Sequence, residues 1–349
     1  MNKYYTRACN FYYGTISKKY IKEKKAIPLN GNPLISFDKI EIISRKGGKI
    51  IDIKDRNKIS KNLNNKIDKD LKNLKRKKTF KKLNLSNTPI LMGIVNLTPD
   101  SFSDGGKYNN IILAKKHINN LLSYGAKIID VGGESTRPGA NDINLTKEWN
   151  RIKLVLQFLK SKKCNISLDT RKSLIMEKAS KLKIDLINDV SGLNYDQDTV
   201  QFLKKTKKPF VIHHMKGTPK NMQLKPSYKN VLLDIYDFFE AKLKYLRKQG
   251  IKHNNIVLDP GIGFGKNMKH NITLLKNISI FHSLGFPIML GLSRKRFIKD
   301  ISKENDTKDR IGGTVSSCIQ AHLQGVQILR VHDVKEINQA FKVFKELQN

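Results

Sequence analysis

Residues 90–96 read Ile90-Leu91-Met92-Gly93-Ile94-Val95-Asn96, an apolar run that ends in an amide, and a helical pattern follows over Ile111–Tyr124. The same alternation of a short apolar run and a longer helical pattern recurs to the end of the chain. The later runs are Lys127–Val131, Asn165–Leu168, Asp185–Ile187, Pro209–Ile212, Asn255–Leu258, Pro287–Leu290 and Val326–Leu329. Such alternation predicts parallel strands joined by crossover helices. Eight units of this kind between residues 89 and 349 predict an α/β fold, a TIM (β/α)8 barrel, whose typical size is about 250 residues.

Polar side chains follow each of the eight predicted strands. They are Asn96, Asp130, Asp169, Asn188-Asp189, His213-His214, Asp259, Ser293-Arg294-Lys295 and Arg330–Asp333. A parallel barrel has its active site at the C-terminal ends of its strands, so we expect these residues to converge on one pocket. Asp189 and Asp333 are explained equally well as caps of the following helices. Because neighbouring residues of a strand point to opposite faces, only one of His213 and His214 should face the pocket.

The residue types in this predicted pocket limit its chemistry. Carboxylates and amides suit the polar edge of a heterocycle. Other side chains suit phosphate or carboxylate groups, namely Arg137, Arg294, Lys295, Arg330 and His332. No cysteine lies near a strand end and no Gly-x-Ser-x-Gly motif is present, which argues against a covalent nucleophile. The glycine-rich stretch 259–266 departs from the P-loop pattern at Pro260 and Asn267.

Residues 1–88 differ from the rest of the chain in charge and pattern. They hold 24 basic and 7 acidic residues, a net of 24 − 7 = +17 within a chain total of +37. Residues 34–43 and 49–53 flank Gly47-Gly48 and predict a β-hairpin. Apolar residues at helical spacing from Ile59 to Leu74 then predict an amphipathic helix. We therefore expect a small basic N-terminal accessory segment over residues 1–88 and the barrel over residues 89–349.

The high positive charge has two explanations. Lys and Arg gain affinity for nucleic acids by releasing counterions from phosphates. A nucleic-acid surface usually interleaves aromatic or Arg residues, whereas Lys dominates here beside many Asn and Ile residues, as codon bias in an AT-rich genome would produce. We favour codon bias and predict no specific nucleic-acid partner.

Cysteine use and hydropathy bound the compartment. Cys9, Cys164 and Cys318 are too far apart for a disulfide scaffold or a cysteine zinc site. No apolar run approaches the roughly 18 residues that a membrane span needs. A reducing, cytoplasmic location without a membrane partner fits best. The basic, acid-free first 22 residues make a weaker case for an organelle-targeting peptide.

The motifs at the strand ends resemble those of a known family. Residues 93–106 read GIVNLTPDSFSDGG and residues 130–140 read DVGGESTRPGA. Further blocks follow in the family's order, namely Leu168-Asp169-Thr170, Ile187-Asn188-Asp189, Leu258–Lys266, Ser293-Arg294-Lys295 and Arg330–Asp333. From Ile90 onward the chain is similar to the dihydropteroate synthases, whereas residues 1–88 lie outside the resemblance and hold no recognisable pyrophosphokinase motif.

The resemblance implies a pterin-binding TIM barrel that joins 4-aminobenzoate to 6-hydroxymethyl-7,8-dihydropterin diphosphate. The products would be 7,8-dihydropteroate, on the route to folate, and diphosphate. Diphosphate would leave first and the arylamine would then attack the pterin cation, so no covalent enzyme intermediate is needed. Relatives are usually homodimers, which implies a homodimer here.

The resemblance also implies a role for each site residue. The implied pterin ligands are Asp169, Asn188, Asp259 and Lys295, and the implied catalytic residues are Asp130, Asp169 and Lys295. The diphosphate would bind Arg137, Arg330 and His332. The 4-aminobenzoate would lie against Thr136, Pro138, Phe264 and Lys295. Asn96 would help to hold Mg²⁺, a hard cation that prefers oxygen ligands and bridges phosphates.

Two positions depart from the common family pattern. His213 stands where many relatives have Met, so the side chain beside the pterin is more polar. Arg296 stands where Ser is common, which puts in doubt the group that binds the aminobenzoate carboxylate and adds a cation. Neither departure removes a group that the mechanism needs.

Two other functions compete with this one. A pterin-binding methyltransferase domain, which hands a methyl group from a folate to a corrinoid protein, would share the carboxylates and the amide. It would not need Arg137, Lys295 or Arg330–His332. A nucleic-acid-binding protein on an inactive barrel would use the N-terminal segment, and the intact strand-end residues argue against it.

Overall fold

The structure, a computed structural model, describes residues 3–79, 83, 85, 89–98, 111–135 and 139–348. Within these ranges a small antiparallel sheet with two helices precedes an eight-stranded parallel barrel surrounded by helices. None of the helices in the described ranges is long and apolar enough to cross a membrane.

The antiparallel sheet lies in the N-terminal segment. Its elements in chain order are β1 (Tyr5–Tyr13), α1 (Gly14–Lys22), β2 (Ile27–Leu29), β3 (Asn32–Ser44), β4 (Gly47–Asp52), a 3-10 helix (Ile53–Lys58) and α2 (Lys61–Lys75). Strand β3 is central, with β1 on one edge and β2 and β4 on the other. Strands β3 and β4 form the predicted hairpin, but its turn is at Arg45 and Lys46, and Gly47 and Gly48 belong to β4. The sequence pattern did not predict β1 or α1.

This N-terminal sheet packs on one side against its own helix and on one edge against the barrel. Ile67 and Leu74 of α2 are buried against Phe37 in a small apolar core. The outer edge of β1 lies against the barrel, where the Ser279 hydroxyl donates to the carbonyl oxygen of Ala8 at 2.9 Å.

Eight parallel strands form the barrel, and each overlaps one of the apolar runs of the sequence. They are β5 (Ile90–Asn96), β6 (Ile128–Gly132), β7 (Asn165–Asp169), β8 (Leu186–Asp189), β9 (Phe210–His213), β10 (Ile256–Asp259), β11 (Met289–Gly291) and β12 (Ile328–Val331). Their order around the sheet is β10-β9-β8-β7-β6-β5-β12-β11, and a parallel bridge between Leu258 and Ile288 joins the two ends. The predicted TIM barrel is confirmed.

The helices between these strands form the outer layer. They are α3 (Ile111–Ser123), α4 (Leu145–Leu159), α5 (Ser173–Ser180), α6 (Thr199–Thr206), α7 (Val231–Lys248), α8 (Met268–Lys276), α9 (Arg296–Ser302), α10 (Ile311–Leu323) and α11 (Val334–Leu347). The sequence pattern predicts one helix over residues 270–284, but α8 ends at Lys276, and the φ of −128° at the next residue, Asn277, lies outside the helical region. A 3-10 helix (Ile278–Leu284) continues from there.

The inward face of the strands changes from apolar to polar along the barrel axis. Its apolar layer consists of Met92, Ile128, Leu186, Val211, Val257, Met289 and Ile328, with Leu85 from the segment before β5. Side chains two residues apart on a strand share a face. The same inward face therefore presents a polar layer at the strand ends: Asp130, Asn188, His213, Asp259 and Arg330.

Candidate active site

An arginine bridges two carboxylates at the mouth of the barrel. Arg330 donates from Nε to Asp130 Oδ2 at 2.6 Å and from Nη2 to Asp169 Oδ2 at 2.8 Å. Asn188 Nδ2 donates to the same Asp130 oxygen at 3.2 Å. The predicted diphosphate ligand Arg330 thus lies among the predicted pterin ligands, where its positive charge offsets the cost of burying the two carboxylates.

Burial sets the protonation behaviour of these acids. It raises the pKa of Asp169, and the neighbouring Asp130 carboxylate raises it further, more than Arg330 lowers it. Burial also raises the pKa of Asp259 to about 6, although Asp259 Oδ1 accepts a hydrogen bond from the Gly261 amide at 2.8 Å. Carboxyl groups with pKa values displaced towards neutrality are typical of functional sites.

One wall of the pocket is built from stacked side chains. The His213 ring meets the Phe264 ring edge-on, with centroids 4.6 Å apart. Lys295 Nζ lies 4.3 Å from the Phe264 centroid on a cation–π contact, and burial lowers its pKa to about 8. His213 Nδ1 donates to the Val190 carbonyl at 3.0 Å, while its pKa, lowered well below the usual value by burial, keeps the ring neutral. His214 instead packs away from the pocket, 4.8 Å from the Phe238 ring.

The loop that carries Phe264 depends on glycine. At Gly261 φ is +69°, and an added Cβ would lie 2.0 Å from the His214 carbonyl oxygen. Only glycine combines that backbone angle with so close an approach. The buried Lys266 Nζ then donates to the Phe264 carbonyl at 2.8 Å and contacts His214 Nδ1 at 3.0 Å, which fixes the loop from its other end.

The upper rim holds the remaining predicted residues. Arg294 Nε donates to Asp333 at 3.0 Å, and the Ser293 hydroxyl contacts both Asp333 at 3.1 Å and His332 Nδ1 at 3.2 Å. The Asp333 side chain therefore binds the rim and does not cap α11. Asn96 Oδ1 lies above Gly132, 3.5 Å from where a Cβ would stand on that glycine.

A buried ionic cluster behind this site was not predicted. Glu134 accepts from Arg171 Nη2 and Lys172 Nζ, both at 2.8 Å, and Lys172 also donates to Glu148 at 2.6 Å. The sequence signals were the basic pair Arg171-Lys172, which follows Thr170, and the acid Glu134 of the Gly-Gly-Glu motif 37 positions before Arg171. The predicted residues Thr136, Arg137 and Pro138 follow Glu134 and lie outside the described residues.

The polar pocket is nearly filled by its own side chains. It leaves a cavity of about 20 Å³ among Asn188, His213, Asp259, Phe264, Lys295 and Arg330. A cleft of about 520 Å³ lies elsewhere, between α3 and α4. We assign function to the small cavity because it holds the convergent groups with displaced pKa values.

Comparisons with known proteins match this geometry. A family profile described as pterin binding enzyme matches residues 92–332. Dihydropteroate synthase from Neisseria meningitidis serogroup C is 43% identical over 263 residues, covering 74% of this chain and 93% of that protein. Yersinia pestis dihydropteroate synthase in a sulfonamide complex superposes with a TM-score of 0.72 at 39% identity, covering 76% of this chain and 96% of that one. The Xanthomonas albilineans enzyme with 4-aminobenzoic acid gives 0.71 at 34% identity, covering 76% and 95%.

A parallel barrel with acceptors deep in its mouth and cations beside them defines a class of protein, the pterin-binding TIM-barrel enzymes, which is also the class of the matched profile. Within that class the identity to the Neisseria protein extends over nearly all of that protein. The chain belongs to the dihydropteroate synthases, which are transferases.

Proposed function

We propose that this chain condenses 6-hydroxymethyl-7,8-dihydropterin diphosphate with 4-aminobenzoate, giving 7,8-dihydropteroate and diphosphate. One observation carries the proposal: Asn188, Asp259 and Lys295 line one pocket at the strand ends, and Asp169 accepts a hydrogen bond from Arg330 of the same pocket. Carboxylates accept hydrogen bonds from a guanidine-like edge, and an ammonium group donates to a carbonyl. These are the two edges of a pterin.

The unpartnered atoms of the pocket indicate how the pterin binds. Asn188 Oδ1 is buried and has no hydrogen-bond partner among the described residues, so it is available as an acceptor. Asp259 and Asp169 accept from the amine and ring NH groups, while Lys295 donates to the carbonyl. Pterin entry replaces the hydrogen bond between Arg330 Nη2 and Asp169, and the released nitrogen then faces the diphosphate.

The bond between the pterin methylene carbon and the diphosphate oxygen breaks first, and the electron pair leaves with the oxygen. Arg330, His332 and Arg137 stabilise the charge on the leaving group. Asp130 and Asp169 stabilise the pterin cation, whose carbon the aminobenzoate nitrogen attacks before releasing a proton. The Phe264 ring and Lys295 line the arylamine side of the site. Thr136 and Pro138 are the further arylamine ligands that the family resemblance implies.

Mg²⁺ fits this site through a single protein ligand. Among the described residues there is no cluster of three His, Cys, Asp or Glu side chains that could hold a metal. Mg²⁺ commonly retains several waters and binds substrate phosphates with only one or two protein oxygens. Asn96 Oδ1 is the amide oxygen at the rim that would complete such a shell. When bound, the ion would neutralise the departing diphosphate.

The activity is tested by supplying the dihydropterin diphosphate, Mg²⁺ and 4-aminobenzoate to the purified chain. We expect diphosphate release matched one-to-one by dihydropteroate, and a fall of about tenfold or more when EDTA removes the metal. A folded protein that binds the pterin but forms no product would favour the methyltransferase alternative. A chelator without effect would contradict the role of Mg²⁺.

Activity should decline as the pH rises through about 8. Burial lowers the pKa of Lys295 to that value, so the ammonium charge beside Asp259 is present below pH 8 and lost above it. An ordinary lysine, with a pKa of about 10.4, would place the decline more than two units higher. The measurement is kcat/KM for the pterin substrate against pH. In Lys295→Arg the decline should disappear from the residual activity; the same decline in that variant would assign it to another group.

Two further properties complete the proposal. A homodimer is supported by α10, which contains no Lys, Arg, Asp or Glu and exposes Gly312, Ser316 and Gln320. Sedimentation should then give twice the chain mass of 40.0 kDa.

A cytoplasmic location is supported by the three cysteines, all buried as free thiols.

A further inference from the structure

One barrel helix carries an acidic stripe in a strongly basic chain. Asp234, Asp237 and Glu240 recur every three residues along α7, while the chain as a whole has a net charge of +37. Like charges at this spacing destabilise a helix unless cations neutralise them. The cations come from the N-terminal unit (residues 3–79), which lies outside the matched family profile.

Three residues of the N-terminal unit bind this stripe. Arg45 donates from its two terminal nitrogens to Asp234 Oδ1 and Asp237 Oδ2, both at 2.7 Å. Lys3 Nζ donates to Glu240 at 2.7 Å, and the Tyr5 hydroxyl donates to Asp237 at 2.9 Å. A guanidinium group that donates to two carboxylates at once neutralises their charge and also holds the two side chains in a defined geometry.

Asp234 also holds the segment that precedes α7. Its second oxygen, Oδ2, accepts from the backbone amides of Lys229 at 3.0 Å and Asn230 at 3.2 Å. The next residue back along the chain is Tyr228. One carboxylate therefore ties Arg45 of the N-terminal unit to the backbone beside Tyr228.

This segment in turn contacts the loop that carries Phe264. The Tyr228 hydroxyl donates to the Gly265 carbonyl at 2.8 Å, and Gln223 Nε2 donates to the Gly263 carbonyl at 2.7 Å. Both carbonyls flank Phe264, whose ring carries the cation–π contact with Lys295. A series of hydrogen bonds, connected by the backbone between Lys229 and Tyr228, thus joins Arg45 to the arylamine wall of the pocket.

We propose that the N-terminal unit is a positioning element for the 4-aminobenzoate side of the active site, acting through Arg45, Asp234 and Tyr228 on the Gly263–Lys266 loop. The placement of 4-aminobenzoate beside Phe264 rests on the proposed function. The effect of the unit on the loop does not.

Loss of Arg45 should remove the contact between the N-terminal unit and Asp234 at the start of α7, while the unit stays bound to the barrel. Other contacts hold that unit to the barrel, including Asn73 Nδ2 to the Ser283 carbonyl at 2.7 Å and Arg76 to the Gly285 carbonyl at 3.0 Å. Arg45 is itself 43% exposed, so its replacement leaves no buried cavity. An effect of Arg45→Met on substrate use is therefore not explained by unfolding.

The test compares Arg45→Met and Tyr228→Phe with a matched control. Arg7→Met removes another arginine pair of the same unit, the one with Glu41 at 2.6 Å within the sheet, which does not contact α7. We expect Arg45→Met and Tyr228→Phe each to raise KM for 4-aminobenzoate about three- to tenfold, a usual size for coupling through a packed network. KM for the pterin substrate should stay within about twofold.

The double variant and amide hydrogen exchange test whether both residues act on the Gly263–Lys266 loop through the same series of contacts. Arg45→Met combined with Tyr228→Phe should raise KM no further than the larger single change, because both act on the same series of contacts. Amide exchange in peptides covering residues 260–267 should quicken in both single variants and not in Arg7→Met. Equal behaviour of Arg45→Met and Arg7→Met, or an equal rise of both KM values with a lower melting temperature, would overturn the proposal. The exchange result stands even if the wild type forms no dihydropteroate, which would refute only the proposed function.

Discussion

Replacing Asp169 with Asn should weaken binding of the dihydropterin diphosphate by about 10- to 150-fold. A hydrogen bond to a charged group contributes roughly 1.5–3 kcal/mol, and each 1.4 kcal/mol is about a factor of ten in affinity. Asn keeps the size of the side chain but loses the charge and presents an NH₂ group where the pterin amine needs an acceptor. Asp169 is only 6% exposed, so water cannot supply the lost hydrogen bond. Calorimetric titration with the pterin substrate measures the effect.

The matched control is Asp189→Asn, the same change at the end of the neighbouring strand. Asp189 is fully buried, but it lies on the outward face beside the inward-facing Asn188, and its Oδ1 accepts a hydrogen bond from the Ser191 amide at 2.8 Å. Pterin affinity in this variant should stay near that of the wild type. Equal losses in both variants, or binding by Asp169→Asn within about threefold of the wild type, would remove Asp169 from the pterin site.

The barrel and its polar mouth could both be predicted from one sequence pattern, the short apolar strand that ends in a polar residue. Strand side chains alternate, so a residue such as Val257 that fills the apolar layer places Asp259, two positions later, at the mouth. The same alternation separates His213 from His214. These relations are local along the chain, and they need no knowledge of which strands are neighbours.

The Arg330 bridge could not be predicted in this way. Arg330 binds carboxylates that stand 200 and 161 positions away along the chain, and only the order β12-β5-β6-β7 in the sheet brings them together. A contact between side chains so far apart along the chain depends on the order of the strands, which the local sequence pattern does not give.

Strand β1 was missed for a different reason. Tyr5, Thr6, Ala8 and Cys9 are all buried, because one face of the strand meets α2 and its outer edge meets the barrel. Burial on both sides removes the alternation on which strand prediction depends. The sequence shows that the segment is basic. It does not show that the segment binds the acidic residues of α7, because charged residues at helical spacing on a barrel helix usually face solvent.

Replacing Gly261 with Ala should lower kcat/KM for 4-aminobenzoate by about 100-fold, because a misplacement near 1 Å at a reacting site has effects of that size. The added Cβ would lie 2.0 Å from the His214 carbonyl oxygen. That oxygen belongs to backbone at the end of β9, where the His214 amide donates to Asp259 at 2.8 Å, so it cannot turn aside as a side chain would. The loop must therefore move, and Phe264 and its contact with Lys295 move with it.

Gly47→Ala separates backbone strain from this close approach. Gly47 also has a positive φ, +147°, but a Cβ there meets nothing within 4 Å, and the residue begins β4, where it pairs with Ser44 next to the turn. Strain alone should lower the melting temperature slightly in both variants, whereas only Gly261→Ala should lose activity towards 4-aminobenzoate. Steady-state kinetics with thermal melting distinguish the two effects. If Gly261→Ala keeps the wild-type kcat/KM, the His214 carbonyl does not fix the loop, and the assignment of Phe264 to the arylamine wall loses its structural basis.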